Sequence, residues 1–397
     1  MYARSVLDSI RLFHNELSAL RQDLHAHPEL GFEEVRTSAI VTGALEALSI
    51  GVHRGIGKTG VVGVIRGKRN DSGRMIGLRA DMDALPIVEE NTFGYKSETG
   101  GVMHACGHDG HITVLIGAAR YLAQTRNFDG TVVLIFQPAE EGRGGAQAML
   151  DDGLFKQFPC DAIYALHNWP GLKPGMIGVN PGPMMAAADR FEIVIEGRGG
   201  HGAHPYQTID PITVAGHLIT ALQSIVSRNV NPLDAAVISI GSLQAGNPVA
   251  MSVIPSEVKL VGTVRTFREP VQKLAETRMN QLATSIASAF GAKATVNYQR
   301  LFPATVNTPE YAKLVADVAA DLVGEENVVR DLTPSMGSED FSVMLQQRPG
   351  AYFRLGQGGA DKGCVLHNPR FDFNDAVIPL GSAVFCGVVE RSMPLAE

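Results

Sequence analysis

Residues 75–83 read Met-Ile-Gly-Leu-Arg-Ala-Asp-Met-Asp, so a short apolar run leads directly into charged side chains. Two further apolar runs end in the same way: Thr131–Phe136, followed by Glu140 and Glu141, and Ala162–Leu166, followed by His167. Between the first two runs, Ile112, Leu115, Ile116, Ala119 and Leu122 recur at helical spacing. This alternation of strand and helix predicts an α/β domain with a mostly parallel mixed sheet. In such sheets, ligands bind beyond the carboxyl ends of the strands, where these polar residues fall.

The stretch from about residue 190 to residue 300 has a different pattern. Its six periodic segments are Phe191–Glu196, Pro211–Val226, Ala236–Leu243, Glu257–Phe267, Val271–Phe290 and Ala292–Tyr298. Their predicted order, β-α-β-β-α-β, is that of a ferredoxin-like α+β unit. A helix at Glu310–Leu322 and a buried strand at Ala351–Leu355 follow it. We therefore predict one α/β domain in two parts, 1–187 and 302–397, interrupted by a smaller α+β domain at 188–301.

Composition excludes several classes of protein. The chain has 397 residues, of which 45% are hydrophobic and 19% charged, so it is not a disordered protein. Lys and Arg number 34 against 41 Asp and Glu, a net charge of −7, which argues against nucleic acid as a partner. No apolar run reaches the about 20 residues that a membrane span needs. We expect neither a nucleic-acid nor a membrane partner.

The N-terminal residues and the cysteines indicate the compartment. Charged residues interrupt residues 1–34, so this stretch is not a secretion signal, and its apolar residues from Val6 to Leu20 have the spacing of a helix. The four cysteines, at 106, 160, 364 and 386, form no CxxC pair. Reduced thiols and a cytoplasmic location are the expectation.

The densest chemical signal is His104-Ala-Cys106-Gly-His108-Asp109-Gly-His111. Thiolate and imidazole are the natural ligands of zinc and of neighbouring metals. Gly107 and Gly110 are expected to permit the tight backbone that lets such ligands converge. A polar loop with helix-capping histidines is the alternative, and the density of the cluster favours a metal site.

Two other signals complete a set of ligands. Glu140 and Glu141 follow a predicted buried strand, and adjacent carboxylates repel unless a cation lies between them or one takes a proton. With a metal present, one glutamate would ligate it and the other would act as base on an activated water. His167 and His367 each end an apolar stretch and are followed by Asn. Together with the cysteine cluster, they supply the ligand count of a closed metal site.

In combination, these motifs resemble those of the M20 metallopeptidases. The matching segments are His25-Ala-His-Pro-Glu-Leu30, Arg79-Ala-Asp-Met-Asp-Ala-Leu-Pro86, His104–His111, Gln137-Pro-Ala-Glu-Glu-Gly142, Gly200-His-Gly-Ala-His-Pro205 and Gly337-Ser-Glu-Asp-Phe341. They are most similar to the amidohydrolase branch, which includes hippurate hydrolases, aminoacylases and auxin-conjugate hydrolases. The resemblance covers nearly the whole chain. It implies a catalytic domain split by a lid or dimerisation domain, and a homodimer.

The resemblance also implies a role for individual residues. The site would hold two divalent metal ions, zinc or manganese, and its donors would also permit cobalt or nickel. Its ligands would be Cys106, His108, Glu141, His167 and His367. Glu140 would be the general base, and His201 would polarise the scissile carbonyl across the dimer. Asp83 resembles a carboxylate that supports the ligands.

Two positions depart from the family pattern. Asp81 stands where many relatives place a histidine ligand, which leaves the ligand set of each metal open. Ser252-Val-Ile-Pro255 replaces the common Asn-x-Ile-Pro, whose asparagine contacts substrate, so substrate preference is expected to differ. Asn247 and Arg265 are candidates for binding a substrate carboxylate, and Arg265 offers bidentate geometry. An exposed strand charge is the alternative for Arg265.

The resulting hypothesis is a metal-dependent amidohydrolase that cleaves small N-acyl amino acids to a carboxylic acid and a free amino acid. Neither the acyl group nor the amino acid follows from the sequence. Three alternatives remain: a dipeptidase or carboxypeptidase of the same family, a hydrolase with Cys106 as nucleophile, and a metal-binding protein without catalysis.

Overall fold

Helices and strands alternate along most of the chain in a computed structural model, which describes the backbone of residues 2–395 and the side chains of residues 5–395. The helices are α1 (Tyr2–Arg11), α2 (His14–Ala26), α3 (Val35–Ala47), α4 (His108–Thr125), α5 (Gly145–Asp151), α6 (Leu154–Gln157), α7 (Pro211–Ser224), α8 (Glu269–Ala289), α9 (Pro309–Val323), α10 (Phe341–Gln347) and α11 (Ile378–Ser392). The strands are β1 (Gly51–Ile56), β2 (Gly60–Arg66), β3 (Met75–Asp81), β4 (Thr131–Gln137), β5 (Ala162–Trp169), β6 (Ile177–Gly178), β7 (Gly182–Met185), β8 (Ala187–Glu196), β9 (Gly200–His201), β10 (Ala236–Ala245), β11 (Val253–Ile254), β12 (Glu257–Thr266), β13 (Lys293–Phe302), β14 (Thr305–Asn307), β15 (Val328–Val329) and β16 (Gly350–Gly356).

The described chain divides into two units. Unit 1 comprises residues 2–184, 305–333 and 340–395, and unit 2 comprises Met185–Ala304 and Pro334–Glu339. The predicted insert spans 188–301. Its assignment as a lid or dimerisation domain stays a prediction.

Unit 1 is built on a mixed sheet with the strand order β1-β2-β4-β3-β5-β16-β6-β15. The centre of the sheet is parallel, because β3 pairs in parallel with β4 and β5, and β5 pairs in parallel with β16. β1 and β2 continue it antiparallel at one side. Every residue of β4 is buried, as in strands covered on both faces. Helix α4 packs against β3, α2 and α11, while α5 packs against β4 and α10 against β5. The prediction of an α/β domain with a mostly parallel mixed sheet is confirmed.

Unit 2 has the predicted order β8-α7-β10-β12-α8-β13 among its longer elements. Its antiparallel sheet has the strand order β10-β12-β8-β13, and α7 and α8 pack together against it. The buried side chains of this core include Phe191 on β8, Leu218 on α7 and Met279 on α8. The order of the elements, the antiparallel sheet and the separate core confirm the predicted ferredoxin-like α+β unit.

The N-terminal region differs from its prediction in one respect. The apolar stripe is buried at Val6, Ile10, Phe13 and Leu17, but it belongs to two helices, α1 and α2, that are separated at residues 12 and 13. Leu12 at the break is 88% exposed. No helix within residues 2–395 is both long enough and apolar enough to cross a membrane.

Candidate metal centre

The polar residues that follow the parallel strands meet at one edge of the unit 1 sheet. Leu78 of β3 is in register with Leu134 of β4 and with Tyr164 of β5, so the three strands run side by side in the same direction. Asp81 is the last residue of β3, and His167 lies two residues before the end of β5. The side chains at these strand ends are therefore placed together by the sheet.

All five residues predicted as metal ligands come together within unit 1. The ligand atoms of Cys106, His108 and His167 lie within 4.8 Å of one another, as do those of Cys106, Glu141 and His367. His108 and Glu141 form a third such group with Glu140. Because the three groups share members, they form one continuous cluster, which we call the ligand cluster.

Two glycines allow this convergence for different reasons. Gly107 precedes α4 with a φ of +94°, a left-handed conformation that favours glycine, so its predicted role in the tight backbone is confirmed. The same prediction for Gly110 is wrong, because this residue lies in the first turn of α4 and has no positive φ. A Cβ at Gly110 would lie 2.2 Å from the ring of Phe373. Gly110 is therefore required for space.

Hydrogen bonds orient two of the imidazoles toward the ligand cluster. His108 Nδ1 donates to Asp83 Oδ1 over 3.2 Å, and His167 Nδ1 donates to the backbone oxygen of Asn168 over 2.7 Å. Nε2 of each ring is therefore the atom left to bind a metal ion, with its lone pair free once the ring is neutral. His167 Nε2 lies 3.4 Å from Cys106 Sγ. The buried Nε2 of His108 has no hydrogen-bond partner among the described residues, as expected for an atom that binds a metal ion.

Carboxylates dominate the electrostatics of the ligand cluster. Burial, reinforced by the charge of Glu141, holds the pKa of the Cys106 thiol well above its usual value. Burial would lower the pKa of His108, but Asp81 and Asp83 outweigh that effect and raise it to about 10. Metal binding needs a thiolate and a neutral imidazole. A divalent cation would thus replace the protons on these two groups, so the donor set fits such an ion.

Asp83 supports the ligand cluster in a second way. Its Oδ2 accepts the backbone N–H of Glu141 over 2.9 Å, while its Oδ1 accepts from His108. One buried carboxylate therefore fixes one ligand through its ring and another through its backbone. This geometry matches a supporting carboxylate.

Glu140 lies on a strained turn after β4. The preceding residue, Ala139, has a φ of +54°, which is uncommon for a residue with a Cβ and costs about 1–2 kcal/mol. The buried carboxylate of Glu34 accepts the N–H of Ala139 over 2.8 Å and holds this turn. Glu140 is 8% exposed, and its Oε1 lies 3.4 Å from the backbone nitrogen of Asp340. The sequence carries no local signal that links Glu34 to Ala139, a residue 105 positions away, so Glu34 was missed.

Asp81 is engaged by cationic and polar neighbours rather than lying free. Its Oδ1 accepts from His111 Nδ1 over 2.6 Å, and its Oδ2 accepts from Arg79 over 2.8 Å. His108 Nε2 lies 3.7 Å from the same Oδ2. Burial would raise the pKa of Asp81, but His108, His111 and Arg79 hold it well below its usual range. Asp81 therefore acts here as the anion that neutralises buried cations.

His111 and Asn168 extend this arrangement and were also missed as contributors. His111 Nε2 lies 2.7 Å from Asn168 Oδ1, and Asn168 Nδ2 donates to Gln357 over 3.0 Å. The available signals were the third histidine of the cysteine cluster and the Asn after His167.

His367 differs from the other predicted ligands because it lies in a loop, with a φ of +63° and a side chain that is 53% exposed. Its Nε2 is 3.2 Å from Glu141 Oε1.

The remaining predicted residues lie in unit 2. His201 on β9 is exposed, and its Nδ1 accepts the N–H of Ala203 over 3.0 Å. Asn247 lies in the loop after β10, where its side-chain oxygen accepts the N–H of Val249. Arg265 on β12 is half-buried rather than an exposed strand charge, and burial lowers its pKa. Within residues 2–395, its buried Nη1 has no hydrogen-bond partner.

The chain is similar to known proteins in sequence and in structure. Residues 77–391 match the model of peptidase family M20/M25/M40. The chain is 42% identical to the hippurate hydrolase of Campylobacter jejuni over 93% of its own length and 94% of the relative's. It is 40% identical to the N-acetylcysteine deacetylase of Bacillus subtilis, over 94% and 96% of the two chains. A crystal structure described as a dinuclear metal binding peptidase, from Bacillus subtilis, superposes with a TM-score of 0.83 at 36% identity and covers 96% of this chain and 99% of that one.

Proposed function

The chain belongs to peptidase family M20/M25/M40, and on this premise we propose that it is a metal-dependent amidohydrolase that cleaves N-acyl amino acids to a carboxylic acid and a free amino acid. The observation that carries the proposal is the convergence of thiol, imidazole and carboxylate ligand atoms within 4.8 Å of one another. Such mixed donors at a sheet edge are typical of a hydrolytic metal site.

The ligand cluster would hold two divalent cations through Cys106, His108, Glu141, His167 and His367. This mixture of donors suits zinc or manganese and also permits cobalt or nickel. When bound, the two cations would lower the pKa of a water molecule toward neutrality and polarise the amide carbonyl.

The protein's own residues move the protons. Glu140 accepts a proton from the attacking water on its carboxylate and then delivers it to the nitrogen of the leaving amine. His201 donates a hydrogen bond to the carbonyl oxygen as negative charge develops there. Arg265, whose buried Nη1 lacks a protein partner among the described residues, binds the carboxylate of the amino acid together with Asn247.

The assembly and the compartment belong to the same proposal. We expect a homodimer in which His201 serves the site of the partner subunit. The four cysteines are free thiols, which suits a reducing cytoplasm.

The alternative with Cys106 as nucleophile is disfavoured by its surroundings. A nucleophilic cysteine needs an electropositive setting that lowers its pKa. Burial and the charges of Glu141 and Glu140 raise the pKa of Cys106 instead. This setting suits a thiol that becomes a thiolate only on binding a cation.

The test compares Glu140→Gln with Glu141→Gln in protein reconstituted with zinc or manganese. Glu140→Gln should keep its bound metal and lose about 10²–10⁴ in kcat, because only the base is removed. Glu141→Gln should lose metal as well. Turnover of Glu140→Gln at the wild-type rate would refute the assignment of the base.

The substrate panel contains hippurate, several N-acetyl amino acids and unblocked dipeptides, measured side by side. Preference for the acyl-capped compounds supports the amidohydrolase, whereas preference for dipeptides would assign the chain to the peptidase alternative. Bound metal without turnover of any compound would indicate a protein without catalysis. Mixing Glu140→Gln with His201→Ala should restore activity if His201 acts across the dimer, and failure under proven subunit exchange would exclude that role.

A further inference from the structure

The segment His25–Leu30 has no part in the proposed reaction, yet its first residue is completely buried. Both ring nitrogens of His25 are hydrogen-bonded to carboxylates: Nδ1 donates to Asp109 Oδ2 over 2.8 Å, and Nε2 donates to Glu89 Oε1 over 3.2 Å. Because an ionised carboxylate only accepts, both nitrogens carry a proton. Burial would lower the pKa of His25, but its bonds to Asp109 and Glu89 outweigh that effect and raise it to about 9.

Asp109 connects this imidazolium to the ligand cluster. It is the second residue of α4, directly after His108, and it is fully buried. Its Oδ1 accepts the N–H of Gly110 over 2.9 Å, and Arg21 Nη1 lies 3.6 Å from its Oδ2. The first turn of α4 therefore carries a buried negative charge that His25 and Arg21 neutralise. Removing either cation would leave that charge undercompensated beside a predicted ligand.

The same segment also holds the residues that follow β3. The backbone oxygen of Glu29 accepts the N–H of Ala84 over 2.8 Å, and Leu30 forms a parallel bridge with Ala84. Ala84 adjoins Asp83, which orients the ring of a predicted ligand. Glu29 is itself fixed, because its carboxylate accepts two backbone N–H groups at the start of α3, over 2.9 and 2.8 Å.

We propose that His25–Leu30 positions the metal ligands: His25 sets the place of His108 through Asp109, and the backbone at Glu29 and Leu30 sets the place of Asp83 through Ala84. His25 is a positioning residue and touches no metal, since both of its nitrogens are already bonded to carboxylates. This inference rests on the proposed metal-dependent function.

His27 provides a matched control in the same segment. Its side chain is 37% exposed, and its Nδ1 donates to the backbone oxygen of Asp23 over 2.8 Å. Its Nε2 lies 3.6 Å from Glu98 Oε2. Among the described residues, it has no hydrogen bond or ion pair with α4, Asp83 or Ala84. A change at His27 therefore tests the effect of losing a histidine at this point of the chain without loss of the bond to Asp109.

The experiment measures the affinity of the full-length metal-free protein for Zn²⁺ and Co²⁺ by chelator competition, well below the melting temperature, together with the visible spectrum of the Co²⁺ form. His25→Ala should weaken metal binding by about 10-fold, the lower end of the range for loss of a direct partner of a ligand, because His25 acts through Asp109; it should also alter the Co²⁺ spectrum. His25→Asn can keep the donor toward Asp109 and should recover part of the affinity. His27→Ala should bind within about threefold of the wild type.

A purely structural role for His25 would lower thermal stability without changing the metal affinity of the folded protein. His25→Ala with wild-type affinity and an unchanged Co²⁺ spectrum would therefore overturn the inference, as would His25→Asn no better than His25→Ala. If His25→Ala does not fold, Asp109→Asn takes its place in the experiment, since this change keeps the side-chain shape and removes the charge. Wild-type metal affinity in Asp109→Asn would also overturn the inference. A wild type that binds no metal would instead show that the proposed function itself has failed.

Discussion

Gly110→Ala is the substitution whose effect the structure specifies most closely. The added Cβ would lie 2.2, 2.3 and 2.5 Å from Cδ2, Cε2 and Cγ of Phe373, well inside van der Waals contact. Phe373 is 1% exposed, so its ring has no room to move aside, and it also lies against the ring of His111, with centroids 6.4 Å apart. The first turn of α4 must therefore shift, and His108 shifts with it.

The expected cost follows from two opposing effects. Overpacking a tight core costs about 1–3 kcal/mol, while replacing glycine by alanine inside a helix returns about 0.5–1 kcal/mol. The net loss of about 0–2.5 kcal/mol corresponds to a fall in Tm of up to about 10 °C for a unit of this size. A displacement of about 1 Å at a catalytic centre costs about 10²-fold in rate, so the loss of activity should exceed the loss of stability.

Gly43→Ala is the matched control, because Gly43 lies inside α3 of the same unit and a Cβ there would meet no atom within 4 Å. Its Tm should stay level or rise, and its activity should not change. Adding Phe373→Leu to Gly110→Ala should recover part of both losses by making room for the methyl group.

The assays are thermal unfolding of the metal-free protein and kcat/KM for an N-acyl amino acid after metal loading. A Gly110→Ala protein with wild-type Tm and wild-type kcat/KM would show that α4 and the Phe373 ring are not packed as described. Equal losses in Gly43→Ala would show that the effect is not one of space.

Three further outcomes follow from the charges of unit 1. Asp81→Asn should lower both Tm and metal affinity, because it removes the negative charge that faces His108, His111 and Arg79. Unchanged metal affinity in chelator competition would show that the charge of Asp81 does not support metal binding. His25, whose pKa is raised from 6.5 to about 9, contributes stability that is fully present below about pH 6.5 and is lost as the pH rises through about 9. This contribution is at most about 3 kcal/mol, so Tm should fall over this range in the wild type and much less in His25→Asn; parallel curves would exclude the interaction of His25 with Asp109 and Glu89 as its source. Saturating Zn²⁺ at about 100 times its dissociation constant should stabilise the protein by about 3 kcal/mol, and chelator should reverse this, whereas a Tm that is insensitive to metal would contradict the ligand cluster.

The sequence by itself determined the type and order of the central strands of unit 1 and of the longer elements of unit 2. Apolar runs such as Met75–Leu78, which acidic residues follow, are local patterns, and so are the segments of the β-α-β-β-α-β series in the insert. The burial of one or two faces of an element produces such a pattern within a few residues. The density of histidine and cysteine in His104–His111 likewise identified Cys106 and His108 as candidate ligands. Their roles, and those of Glu140, His201 and the other predicted site residues, stay predictions.

Only the tertiary structure decided which side chains meet. His25 bonds to Asp109 across 84 positions and Glu34 to Ala139 across 105, and no periodicity carries that information. Gly110 was expected to serve the backbone and instead makes room for Phe373, which is 263 residues away in the chain. The physical reason is that secondary structure arises from hydrogen bonds between near neighbours, whereas the partner of a buried charge or the space beside a helix is settled only when distant segments pack together.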